Sequence, residues 1–206
     1  MKLFPKSASI LALATLVFVA APARAVEIAA VAPENRVLSN SNAFVGQSFT
    51  VVGAGSFTNI GFNFFTNVTT PTPYAVGTGF LLSSPFVGSP SALNNLIPGF
   101  LGQANASGGF YNFGPSLSLV AGTQYYLYEN APIPARSLIL NDDGYSGSFY
   151  IATAVGNTFQ NTGTTLDAAF RVTGDAVSTP DGGSTALMLA LGMIGMLCGR
   201  RSLRRQ

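Results

Sequence analysis

Thr58-Asn59-Ile60-Gly61-Phe62-Asn63-Phe64, residues 58–64, decides the fold class. Ile60, Phe62 and Phe64 fall on every second position, with Asn59, Gly61 and Asn63 between them. Successive side chains of a strand point to opposite faces, so this pattern gives a strand one apolar face and one polar face. Outward from it, residues 74–83 repeat the alternation with Val76, Thr78, Phe80 and Leu82. Further β-rich runs lie at 48–52, 109–113, 116–120, 124–129, 136–140, 148–153 and 168–173, separated by Gly, Pro, Asn, Ser and Thr. Between Val26 and Val177 no amphipathic helical stretch of useful length occurs. Short, closely spaced strands with turn signals between them predict an all-β, antiparallel, jelly-roll-like sandwich. Residues 44–52 and 57–64 read as paired strands joined by Gly53-Ala54-Gly55. The longest gap, 84–107, reads as a surface loop with room for a short helix around 91–97.

The two ends differ from this body. Of ten basic residues, Lys2, Lys6, Arg24, Arg200, Arg201, Arg204 and Arg205 lie outside it, leaving Arg36, Arg136 and Arg171. All acidic residues except Asp181 lie inside, so the body is net negative and offers no basic surface for nucleic acid. Lys2 and Lys6, the apolar residues 7–21 and the small-x-small motif Ala23-Arg24-Ala25 read as a secretory signal peptide. Sec export and signal peptidase cleavage after Ala25 are expected, with a mature start at Val26. Three segments follow: 1–25, a domain over 26–177, and a tail over 178–206.

In the tail, residues 185–199 would span about 22 Å as a helix. That is short against a bilayer core of about 30 Å. Arg200, Arg201, Arg204 and Arg205 would stay on the cytoplasmic side, so transient inner-membrane insertion is expected. The order Pro180-Asp181-Gly182-Gly183, an apolar helix, then clustered arginines resembles the VPDSG-CTERM sorting signal, a relative of the PEP-CTERM tails. It departs at Thr179, where Val is favoured, and at Gly182, where Ser is common. The resemblance implies capture at the membrane and cleavage near Pro180-Asp181-Gly182 by an exosortase, with the nucleophile belonging to that enzyme. Pro and paired Gly keep this stretch open to such an enzyme.

The body also resembles a group of exported bacterial domains that accompany sorting tails, through Gly46-Gln47-Ser48-Phe49-Thr50-Val51, Thr72-Pro73-Tyr74-Ala75, Gly122-Thr123-Gln124-Tyr125-Tyr126 and Ala169-Phe170-Arg171-Val172-Thr173-Gly174. This implies a cell-surface sandwich with no established activity. Residues 119–126 resemble the strand entry at which a tyrosine hydroxyl bonds back to nearby backbone.

The body has no His, Cys, Lys, Met or Trp. A Ser-His-Asp triad, a Cys-His pair, a typical zinc site and Schiff-base chemistry therefore cannot be built from it. Paired carboxylates are what remains for catalysis, and Glu129 with Asp142 or Asp143 is the pair the strands allow. Asn141-Asp142-Asp143-Gly144 reads first as an ordinary turn, with a calcium site using Asp142 and Asp143 as the alternative. Tyr126 and Tyr128 share one face of the 124–129 strand, and Tyr125 and Leu127 share the other. The first pair could stack on sugar rings, or could simply cover the edge of a tryptophan-free core. The expected function is structural or adhesive, at the cell surface or in the extracellular matrix, without catalysis. The alternatives are a carbohydrate-binding module, with or without calcium, and more remotely a glycoside hydrolase.

Overall fold

A computed structural model of the protein describes residues 24–33, 36–37, 42–66, 70, 72–133, 139–141, 145–163 and 166–177. Ala23 of the signal-cleavage motif lies outside these residues. So do Asp142, Asp143, Pro180, Asp181, Gly182, Gly183, Arg200, Arg201, Arg204 and Arg205. Among the described residues, no helix is long and apolar enough to cross a membrane.

The described chain is nearly all antiparallel β-sheet. Its strands are β1 Ala25–Val31, β2 Arg36–Val37, β3 Phe44–Thr50, β4 Ser56–Thr66, β5 Thr72–Tyr74, β6 Thr78–Leu82, β7 Phe100–Ser107 and β8 Phe110–Asn112. They continue with β9 Leu119–Val120, β10 Gln124–Glu129, β11 Ile139–Asn141, β12 Phe149–Ala152, β13 Gln160–Asn161, β14 Asp167–Ala168 and β15 Phe170–Ala176. Twelve form one sheet with the order β1-β15-β4-β8-β7-β6-β10-β3-β12-β13, with β5 and β9 also paired to β4. The short strands β14, β11 and β2 form a second sheet.

The apolar face expected of 58–64 is present: Ile60, Phe62 and Phe64 are buried in the main core. Phe62 lies opposite Val172 of β15 and Tyr111 of β8. Its ring stacks on Phe170 with centroids 5.6 Å apart and meets Phe64 edge-on at 5.0 Å. Phe49 of β3 reaches both Phe62 and Phe170, at 5.7 and 6.2 Å. The half of the sheet holding β4 and β15 therefore faces the half holding β3 and β10 across one core, in a sandwich-like arrangement. Aromatic pairs of this kind add about 0.5–1.5 kcal/mol each beyond the area they bury.

At Asn59 the strand bulges. Asp175 of β15 lies opposite Thr58 and Thr173 opposite Gly61, so Asn59 and Ile60 together face Gly174. Asn59 takes φ of 50° and donates to Asp175 Oδ2 at 2.9 Å, a conformation Asn tolerates better than most residues.

Two expectations need correction. Strands 44–52 and 57–64 do not pair: β3 bonds to β10 and β12, and β4 to β15, β8, β5 and β9. Gly53 and Gly55, at φ of 106° and 81°, carry the chain from one half to the other, and that places Phe49 and Phe62 across the core from each other. Second, the gap 84–107 is not one loop. Its last eight residues form β7, which pairs with β6 along one part of its length and with β8 at its end. Gly108 and Gly109, both at positive φ, make the two-residue hairpin turn that sends β7 back as β8.

The remainder, residues 84–99 with Ser83 before it, includes a 3-10 turn at Pro90–Ala92 rather than a helix over 91–97. Its ends meet through Ser83 N–H donating to Gly99 O at 2.8 Å. It lies over the outer face of β6, β10, β3 and β12. There Phe86, Leu93 and Ile97 pack on Phe44, Phe80, Leu82, Tyr128, Tyr150 and Phe159 as a second core.

Candidate functional site

The tyrosine strand β10 shows the expected alternation, and of the two readings of its Tyr126–Tyr128 face the core-covering one holds for Tyr128. Tyr125 and Leu127 enter the main core. The Tyr125 hydroxyl accepts the Val120 N–H at 3.0 Å, the backbone bond the 119–126 stretch suggests. Tyr126 and Tyr128 point to the second core. Tyr128 is fully buried, so it cannot serve as an exposed ligand contact; the segment 83–99 covers it. Its ring lies 4.9 Å from Phe159 and 5.8 Å from Phe86, and its hydroxyl accepts the Phe86 N–H at 3.1 Å. Burial pushes that hydroxyl well above the usual tyrosine range. Tyr126 is half-buried and donates to Gln124 Oε1 at 2.9 Å. Burial, and then Tyr150, raise its pKa.

Each carboxylate of the described residues is engaged in the scaffold. Glu27 pairs with Arg171 at 3.2 Å on the surface, and Arg171 also lies 5.4 Å from the Phe65 ring. Asp175 holds Asn59 of the bulge. Asp167, buried, accepts from Gln47 Nε2 at 2.8 Å, while Gln47 Oε1 accepts the Ala168 N–H at 3.0 Å. That exchange ties β3 to β14 of the small sheet. Glu129, also buried, contacts the Tyr111 hydroxyl at 2.6 Å. Burial raises its pKa to about 8, although the bonds from Tyr111 and the Val76 backbone pull the other way. Among the described residues, no group of three His, Cys, Asp or Glu comes together where a metal ion could be held. The calcium candidates Asp142 and Asp143, and with them the Glu129–Asp pair, lie outside those residues.

A site not picked out from the sequence sits at the β12–β13 end of the large sheet. Ile151, Thr153, Gly156, Asn157, Thr158 and Gln160 line an open depression of about 420 Å³. Ile151 lies opposite Gln160, so the two strands form its floor and the connecting residues 153–159 its rim. The rim is held in place by Phe159, whose N–H donates to Gly88 O at 2.9 Å and whose ring is set in the second core. Asn157 Nδ2 donates to Thr153 Oγ1 at 2.9 Å, and Gln160 Nε2 to Thr158 Oγ1 at 2.7 Å. Every side chain of the lining is uncharged. Such amides and hydroxyls, each with capacity left to donate or accept, suit a neutral hydroxyl-bearing ligand. The density of Thr, Asn and Gln over 153–160 was the available sequence signal, but that composition also describes any exposed turn.

No protein-family model, curated protein or solved structure matches the chain.

Proposed function

We propose that this is an exported, exosortase-sorted protein of the cell surface or extracellular matrix, with a structural or adhesive role and no catalysis of its own. In this reading a jelly-roll-like sandwich over 26–177 lies between a signal peptide and a sorting segment. Sec and signal peptidase act at Ala23 and Ala25. The exosortase acts near Pro180-Asp181-Gly182-Gly183, while the four terminal arginines hold the tail on the cytoplasmic side. The observation that carries the proposal is the tripartite order of residues 180–206: turn motif, apolar run, arginine cluster. Two features of the body support it. Every carboxylate of the described residues makes a scaffold contact, and cores on both faces of one half-sheet supply stability without a disulfide.

Intact mass and fractionation of the protein from its own cells test this reading. The expected product starts at Val26, ends near Pro180, and is found at the surface or in the matrix. Protein that retains Gln206 and is soluble in the cytosol would overturn it.

The neutral depression beside β13 favours a second reading, a carbohydrate-binding module that holds extracellular polysaccharide. On a glycan array, the processed protein should give saturable signal with defined neutral sugars, and the Asn157→Ala, Gln160→Ala double variant should lose it. Chelator distinguishes calcium-assisted binding, since it would abolish the signal only if calcium takes part.

A further inference from the structure

The Tyr111 hydroxyl has one proton and faces two acceptors. Its oxygen lies 2.5 Å from the Val76 carbonyl and 2.6 Å from Glu129 Oε1, and it accepts the Val76 N–H at 2.9 Å. With Glu129 ionised, one proton would have to serve two short oxygen–oxygen contacts, and one of them would hold no hydrogen. A proton on Glu129 resolves the conflict. Glu129 then donates to the Tyr111 oxygen, Tyr111 donates to the Val76 carbonyl, and the Val76 N–H donates back to Tyr111. A tyrosine oxygen has the one donor and two acceptor sites this requires. The other carboxyl oxygen, Oε2, is buried and meets no hydrogen-bond partner among the described residues. The Val76 N–H, which favours the charged form, is already given to Tyr111, so a negative charge there would be poorly compensated.

Among the described residues, the surroundings of Glu129 offer no cation. Among the same residues, Tyr111 on β8 and Tyr74 on β5 are the titratable groups facing Glu129; burial, and then the charge Glu129 would carry if ionised, raise the pKa of both. On β10, Tyr125 shares its face but bonds to Val120. Gly79 lies opposite on β6, and β3, β4, β6 and β7 contain no titratable residue.

We propose that Glu129 is a neutral carboxylic acid in the folded protein and acts as an alkali-sensitive clasp on the 75–77 crossover between β5 and β6. When it ionises, the Tyr111 proton turns to the carboxylate and the Val76 carbonyl loses its donor. The crossover has few other ties: β5 pairs with β4 alone, and Gly77, at a φ of 61°, is held by its carbonyl accepting the Ala106 N–H at 2.8 Å. The upward shift of the Glu129 pKa to about 8 agrees with this proton count.

Carbon-13 NMR of the carboxyl groups, with Glu129 assigned through Glu129→Gln, tests the first half. The Glu129 signal should stay still while exposed carboxyls such as Glu27 titrate at about pH 4, and should move near pH 8. Amide exchange at Val76 tests the second half. Beyond the normal base-catalysed slope, it should accelerate about tenfold or more through the same range in the native chain and not in Glu129→Gln, whose amide can still donate to Tyr111. Titration of Glu129 together with Glu27 would overturn the proposal, as would Val76 exchange that follows the ordinary slope in both proteins. Should Glu129→Gln not fold, the signal is assigned by selective glutamate labelling and the native titration decides alone.

Discussion

Gly46 lies opposite Tyr128 across the β3–β10 ladder, and a Cβ there would fall 2.4 Å from the Tyr128 ring. The ring cannot swing away, because Phe86, Phe159 and Tyr150 enclose it. Gly46→Ala should therefore destabilise the fold by about 1–3 kcal/mol, the usual range for overpacking, read as a lower denaturation midpoint with an unchanged slope. Glu129 makes the second prediction at this scale. Its folded pKa, about 8, stands above the ordinary 4.5, so between those values the folded chain holds a proton that the unfolded chain releases. Its contribution is full below pH 4.5, declines as pH rises towards 8, and is flat beyond. The slope is at most about 1.4 kcal/mol per pH unit. Thermal melts across this range should show that slope in the native protein and its loss in Glu129→Gln. The sequence placed Glu129 correctly at the end of a strand. It could not reveal the burial, because the residues that enclose it come from two other stretches, Val76 with Gly79, and Tyr111.

The segment 83–99 is the element whose role composition concealed. Its Pro, Ser, Asn and Gly content reads as solvent-facing loop, yet Phe86, Leu93 and Ile97 bury themselves against the sheet. This layer also explains why alternation on β10 predicted facing but not exposure: Tyr126 and Tyr128 do share a side, and that side is covered. Phe159 anchors the layer from beneath. Phe159→Ala should cost about 3–4 kcal/mol and open residues 84–98 to limited proteolysis while β1, β4 and β15 stay protected. Strand legibility followed side-chain content. Residues 124–129, Gln-Tyr-Tyr-Leu-Tyr-Glu, match β10 end to end. Residues 101–107, Leu-Gly-Gln-Ala-Asn-Ala-Ser, carry no β-branched or aromatic side chain, and Ala104 alone is buried. β7 exists because β6 and β8 bond to it, the latter through the turn at Gly108-Gly109.

At the scale of the whole molecule, the all-β class followed from period-two alternation and from the lack of any helical period. The route of the chain did not follow, since which strands meet depends on contacts far apart in sequence. The Gly53-Ala54-Gly55 link shows this well: as a short glycine loop it suggests a hairpin, whereas it carries the chain between facing halves. The longest-range pairing joins β1 to β15, with Ala25 opposite Asp175 and Val31 opposite Phe170. It brings the first described strand against the last. A circular permutant that links residue 177 to residue 25 through a few glycines and opens the chain between Gly108 and Gly109 should fold. Its far-ultraviolet spectrum should match the parent's, and its melting temperature should lie within about 8 °C of it, a shift of at most one to two kcal/mol for a domain of this size. The β1–β15 register also has a topological consequence. The expected signal-peptide cut at one terminus and the chain's departure towards the sorting motif at the other stand side by side on one rim of the sheet. On the proposed export reading, β1 and β15 would close against each other only once the rear of the polypeptide had followed its front across the membrane.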